Sequence, residues 1–195
     1  VIHPVQCRCG AFRARLEGRG PHNRVICYCA DCQAFARALD KASETLDSQG
    51  GTEVVQVMQS RLRLEQGEEH LAVLRLSESG MLRWYAACCA TPIGNTMFNP
   101  RMSFIGLVHT CLDPARMDTD FGPGVAVANV KSALGEPKPQ TRGFLGVLVR
   151  LVWIMASGYI RGSWRGSPLF DESGSPRAIP RTLTAEELAN ARRNP

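Results

Sequence analysis

Val25-Ile26-Cys27-Tyr28-Cys29-Ala30-Asp31-Cys32-Gln33-Ala34-Phe35-Ala36-Arg37-Ala38-Leu39 is the stretch on which the reading of this chain turns. Its first five residues read as a short strand, and from Asp31 onward the residues favour a helix, with Asp31 placed as its N-cap. Three cysteines therefore fall where a strand gives way to a helix. Cys27, Cys29 and Cys32 deliver three sulfurs from six residues, and soft thiolates favour zinc, held tetrahedrally at about 2.3 Å. Three sulfurs do not close a tetrahedron. The fourth position falls to another residue, to water or to a substrate.

Working outward, Cys7-Arg8-Cys9-Gly10 precedes this stretch and Cys88-Cys89 follows it, behind Trp84-Tyr85. A Cys-x-Cys pair presents both sulfurs on one side of an extended chain, and a following glycine lets the chain turn round an ion. Free cysteine is also a small, readily buried hydrophobe. That reading is favoured for isolated Cys111 and disfavoured for five cysteines within 26 residues. A disulfide frame would need export, and no apolar run near the start carries a charged flank or a small-residue cleavage site. A reducing, cytoplasmic compartment is expected.

The rest of the chain supports one folded body. With 195 residues, 44% of them hydrophobic, it buries a real core and is not intrinsically disordered. Its net charge is +5, and of its 23 basic residues only Lys41, Lys131 and Lys138 are lysines; through the first hundred positions the basic residues are interleaved with acids, so no nucleic-acid partner is expected. Residues 11–16 and 106–111 read as strands. Residues 53–59, 61–65, 70–76 and 81–86 alternate between Gly-bearing turns as an antiparallel meander. Residues 112–141, rich in Pro, Gly and Asp, read as loop. Residues 142–161 read as a helix apolar on all but the stripe Arg142, Gly146, Arg150, Trp153, Ser157, Arg161. Arg150 at its centre argues against a transmembrane span. Packing inside the domain or in a homodimer is expected of it, ahead of a place on a membrane surface. Thr184-Ala185-Glu186-Glu187 has the capping-box pattern of a last short helix. The expected organisation is a zinc-binding β domain over 1–111 and, over 112–195, a loop, an amphipathic helix and a tail.

The order Cys7-x-Cys9-Gly10, Cys27-x-Cys29-x-x-Cys32, then a hairpin ending in Cys89-Ala90-Thr91-Pro92-Ile93-Gly94, resembles the glutathione-dependent formaldehyde-activating enzyme family, which also contains centromere protein V. The run Arg83 to Thr96 is similar to that of an uncharacterised bacterial branch of the same superfamily. The resemblance covers roughly residues 3–110. It implies a mainly β fold, a zinc-bearing β-tent of antiparallel sheets, here with a C-terminal helical extension. It also implies up to two zinc ions, one structural, using Cys7 and Cys9 with a late Cys-x-x-Cys, and one catalytic, held by Cys27, Cys29 and Cys32.

Two departures matter. Ala86 stands where the first late cysteine is expected, and Cys88 adjoins Cys89 instead. The structural centre is then either Cys7, Cys9, Cys88 and Cys89, which requires a distorted backbone, or a three-sulfur site completed otherwise. Second, Gln33-Ala34-Phe35 replaces the family's small Gly-Ser-type loop, which alters the ligand pocket and makes glutathione a less secure partner than zinc. The leading expectation is a carbon-sulfur lyase that forms or breaks a thiol-aldehyde adduct at an open zinc, with a small thiol such as glutathione as partner. A non-catalytic zinc-stabilised binding module and a thiol redox switch at Cys88-Cys89 or the middle cluster are the alternatives. Asp31, Tyr28 and His109 are candidates for proton transfer or orientation, although a helix cap, a core residue and a strand residue are their plainer readings. His109 and Cys111, two apart on an expected strand, are candidate fourth ligands. The acid-free stretch 138–165 is a candidate contact for an anionic ligand or membrane surface, with a solvated helix face as the plainer reading.

Overall fold

The computed structural model describes residues 2–193. Along the chain, β1 (Ile2–Gln6), β2 (Arg13–Glu17) and β3 (Asn23–Cys27) lead into α1 (Ala30–Ala38) and the single-turn α2 (Ala42–Thr45). There follow β4 (Thr52–Met58), β5 (Leu62–Gln66), β6 (Leu71–Arg75), β7 (Leu82–Ala86), β8 (Thr91–Thr96) and β9 (Phe104–Val108). Then come α3 (Met117–Phe121), β10 (Ala126–Ala128), α4 (Phe144–Ile160), β11 (Pro180–Thr182) and α5 (Ala185–Arg192). The architecture is mainly β, as expected, in two sheets with a few helices.

The small sheet runs β1-β2-β5 and the large one β10-β3-β4-β9-β8-β7-β6-β11. All pairs inside the large sheet are antiparallel, and only its edge strands β10 and β11 join in parallel. Side chains alternate across a strand, so the large sheet feeds two packings, one on each face. Val55, Val57, Leu82, Trp84, Ile105 and Leu107 meet Val5, Phe12, Leu16 and Leu62 in the main core. Val25, Val54 and Val108 on the other face meet Val147 of α4, and Met58 and Phe104 meet its Ile154. α1 is pinned to α5 through Phe35, Leu74, Leu183 and Ala191.

Several expectations change. β4 and β5 are not neighbours in a meander, because the turn Gln59–Arg61 carries the chain from the large sheet to the small one. Fully buried Gln59 anchors that turn, donating from Nε2 to the Phe104 carbonyl and accepting from the Ser167 hydroxyl at Oε1. The expected loop 112–141 contains α3 and β10, whose parallel pairing with β3 no local pattern announces. The strand read over 106–111 is β9, which ends at Val108, and His109–Cys111 is a turn of 3-10 helix. The N-cap of α1 is Cys29, whose sulfur accepts from the Cys32 N–H, and Asp31 sits in the first turn.

The helix expected over 142–161 is α4, and the capping box at Thr184 and Glu187 opens α5. Within the chain α4 buries only one stripe, with Val147, Ile154, Ser157 and Gly158 covered. Leu145, Val149, Val152, Trp153 and Ile160 stay exposed beside Arg142, Arg150 and Arg161. Ser157, read as part of the polar stripe, is buried because at Gly158 α4 lies so close to the sheet that an added Cβ would meet Ser103 at 3.3 Å. Among the described residues no helix is long and apolar enough to cross a membrane.

Candidate metal centres

Cys7 and Cys9 lie just after β1, and Cys88 and Cys89 in the turn between β7 and β8, so the first centre ties the small sheet to the large one. The four sulfurs lie within 4.8 Å of one another. Cys7 and Cys9 are 3.5 Å apart, Cys7 and Cys88 3.7 Å, Cys9 and Cys88 3.4 Å, and Cys88 and Cys89 3.9 Å. A tetrahedron with bonds of about 2.3 Å has edges of about 3.8 Å, so these spacings fit one ion. Ala90, directly after the adjacent pair, turns the chain with a left-handed φ of 55°. Thr91 braces the site, accepting from the Arg8 N–H at 3.1 Å and standing 3.0 Å from the Cys89 sulfur. Burial raises the Cys89 thiol, but hydrogen bonds from Thr91 and from the Cys9 backbone outweigh it and bring it down to about 6.

The second centre is built from the end of β3 and the first turn of α1. Cys27, Cys29 and Cys32 lie within 4.8 Å of one another, with 3.0 Å between the last two sulfurs. Asn129, which follows β10, donates its amide to the Cys27 sulfur at 3.1 Å. Hydrogen bonds from Cys29 and Cys32 push the Cys27 thiol far down, and the same bonding with Cys27 pushes Cys29 and Cys32 up. A bound cation would favour ionisation of all three. Both cysteine groups can hold a metal ion.

The three sulfurs stand in the wall of a cavity of about 500 Å³ between the large sheet and α4. Small-molecule sites run roughly 300–1,000 Å³. α4 contributes Phe144, Val147, Leu148, Leu151 and Met155 to the wall, so it roofs the three-cysteine centre. On the sheet side are Gln56, Arg83, Asn95 and Gly106. Arg83 is 4% exposed, donates to Asn95 at 3.0 Å and lies 3.7 Å from Asp31. Its Nε is buried without a hydrogen-bond partner.

The other candidates from the sequence separate from this centre, except one. Asp31 lines the cavity, half exposed and shared between Arg83 and Arg192. Tyr28 donates its hydroxyl to Asp47 at 2.8 Å, and burial together with that bond pushes it up to about 12, so it is held in its protonated form. His109 lies 3.2 Å from the Glu53 carbonyl through Nδ1. Cys111 is buried in the main core with its sulfur on the carbonyls of Val108 and Ile93, and burial raises its thiol. Neither joins a cysteine group, which removes both as fourth ligands: the 3-10 turn breaks the common strand face that suggested them. Phe35 packs beneath the Arg83 guanidinium, 5.5 Å away, in the core rather than in the cavity.

Across residues 1–179 the sequence matches the family of unknown function DUF6151. The chain belongs to that family. No curated protein matches it. Among solved structures, a protein of Rhodobacter sphaeroides, a structural-genomics target, is similar at 18% identity and a TM-score of 0.42, over 64% of this chain and 99% of that one.

Sequence reading missed Asn129, Arg83 and the methionines Met81, Met97, Met102 and Met155 that line the cavity. Asn129 sits in a segment read as loop and reaches Cys27 only because β10 pairs with β3. Arg83 lies on β7, where alternation marks its neighbours Leu82 and Trp84 as core and leaves Arg83 looking like a solvated strand position. The methionines share no motif.

Proposed function

We propose that this protein is a zinc-dependent enzyme of the carbon-sulfur lyase kind, which joins a small thiol to an aldehyde or reverses that addition at Cys27, Cys29 and Cys32, on a zinc-bearing β-tent. The observation that carries this reading is the number of ligands: three sulfurs, with no fourth His, Cys, Asp or Glu ligand atom within 4.8 Å of all three among the described residues, in the wall of a cavity of small-molecule size. The four-cysteine group is the structural partner of that open site. The resemblance to the glutathione-dependent formaldehyde-activating enzymes points the same way.

Zinc bound by the three cysteines supplies the positive charge that keeps an incoming thiol ionised, together with an open coordination position. Every other role belongs to the chain. Asn129 donates to the Cys27 sulfur and so fixes its direction. α4 and the sheet exclude water and hold the aldehyde beside the thiol. The thiolate sulfur then adds to the carbonyl carbon, the carbonyl π pair moves to oxygen, and that oxygen takes one proton. Asp31 at the cavity rim is the group placed to pass that proton, and the reverse step returns it. A reducing cytoplasm is the compartment that keeps these thiols free. A second copy of the chain is our reading of what covers the exposed face of α4.

Elemental analysis of protein purified under reducing conditions tests the first half, with two zincs per chain expected and one in Cys32→Ser. Incubation of the wild type with formaldehyde and glutathione, followed by NMR, tests the second, with adduct formation accelerated and Cys32→Ser inactive. A single zinc that is unchanged in Cys32→Ser, with no acceleration, overturns the proposal. One observation favours a second reading: Cys29 and Cys32, 3.0 Å apart at a helix N-terminus, are placed to form a disulfide under mild oxidation. Reversible loss of two free thiols per chain under dilute peroxide, with release of metal, would select that redox switch.

A further inference from the structure

We infer that the cavity beneath α4 takes an amphipathic thiol, with an apolar chain along the methionine-lined wall, its sulfur at Cys27, Cys29 and Cys32, and an anionic group on Arg83. The inference rests on the reading of the three-cysteine centre as an open thiol site, and it names the class of thiol.

The wall decides the body of the ligand. Met81, Met97 and Met102 come from the sheet side and Met155 from α4, beside Phe104 and Leu151. Thioether side chains are flexible and polarisable, and they repack around apolar chains of different shape. Apart from the cysteines, the charged residues in this wall are Asp31 and Arg83. A peptide-like thiol such as glutathione carries two carboxylates, an ammonium and two amides. Arg83 can answer one carboxylate, and Gln56, Asn95 and Asn129 are the uncharged polar side chains in the wall, so a second carboxylate and the ammonium would lose water with at most Asp31 to compensate, which is costly.

Arg83 decides the other end. Its guanidinium is buried on β7, stacked on Phe35 and bonded to Asn95, and its Nε still lacks a partner. Its ionic partner Asp31 lies 3.7 Å away, is half exposed and is also bonded to Arg192 at 3.1 Å. A buried cation so weakly compensated, in the wall of the cavity, fits a carboxylate, which accepts charge-assisted hydrogen bonds from guanidinium N–H groups. The same wall holds a soft-metal centre and an anion site with apolar surface between them.

The test is isothermal titration calorimetry on the zinc-loaded full chain with four probes: omega-mercaptooctanoic acid, octanoic acid, omega-mercaptooctanol and glutathione. The thiol acid is expected to bind most tightly, at least about tenfold tighter than glutathione. Arg83→Gln should weaken the thiol acid about tenfold, the scale of one charge-assisted hydrogen bond, and leave the thiol alcohol unchanged. Should Arg83→Gln not fold, Leu148→Glu, on the half-exposed rim of α4, puts a negative charge in the wall and should weaken all three octyl probes. Octanoic acid that binds as tightly as the thiol acid and is weakened by Arg83→Gln or Leu148→Glu would overturn the open thiol site while the apolar-anion cavity stands. Glutathione that binds more tightly than the thiol acid, indifferent to both substitutions, would overturn the inference and leave the open thiol site standing. Absence of binding by the three octyl probes overturns the inference.

Discussion

Asn129 and Tyr28 flank the three-cysteine segment and show how single side chains divide between chemistry and structure. Asn129 gives its amide to the Cys27 sulfur, and outer partners of this kind orient a metal ligand. Asn129→Ala is expected to lower the affinity of that cysteine group for added zinc by about tenfold, read by competition with a chromophoric chelator, without changing the affinity of the four-cysteine group. Tyr28, the neighbour of Cys27, serves the fold instead, bonded to Asp47 in the loop before β4. Its folded-state value lies above the ordinary 10 at about 12, so the neutral phenol is the form that folding favours. The stability it contributes is complete below pH 10 and is lost as pH rises towards 12. Urea unfolding across that window should therefore show a steeper alkaline decline for the wild type than for Tyr28→Phe. Parallel curves would show that the Asp47 bond adds nothing.

α4 is the element whose role changes most between sequence and structure. Its length and apolar character are legible in the sequence, and its expected task was packing or pairing. The fold uses one stripe of it to roof the three-cysteine cavity, with Ile154 wholly buried against Met58 and Phe104. Ile154→Ala is expected to cost about 2–5 kcal/mol in urea unfolding, because the helix and sheet on either side leave a cavity that collapses only in part. A loss below 1 kcal/mol would mean that α4 is held by something other than this contact. The packing of α4 on its own domain is as expected, and what stays illegible is the stripe: a helix apolar on most of its surface does not declare which side meets its own sheet. β10 poses the same problem more sharply, since three residues between Gly-rich segments become a strand only through the partner they find.

For the whole molecule, the four-cysteine centre joins the two sheets, while the three-cysteine centre lies between α1, the large sheet and α4. Loss of metal should then have unequal effects. Chelation is expected to lower the midpoint of urea unfolding, and Cys9→Ser should reproduce most of that shift while Cys32→Ser reproduces little. Equal shifts from the two substitutions would assign structural duty to both centres. The sequence by itself determined the three cysteine clusters along the chain, most strands, α1, α4 and the capped start of α5, because these follow from local spacing, periodicity and capping chemistry. Only the tertiary structure decided that Cys88 and Cys89 join Cys7 and Cys9 across an Ala90 turn, that His109 and Cys111 stay out of both centres, and that β5 leaves the large sheet. It alone placed Arg83, Asn129 and α4 around one cavity. Each of those outcomes depends on contacts between residues tens of positions apart, and such pairings leave no period or motif in either partner.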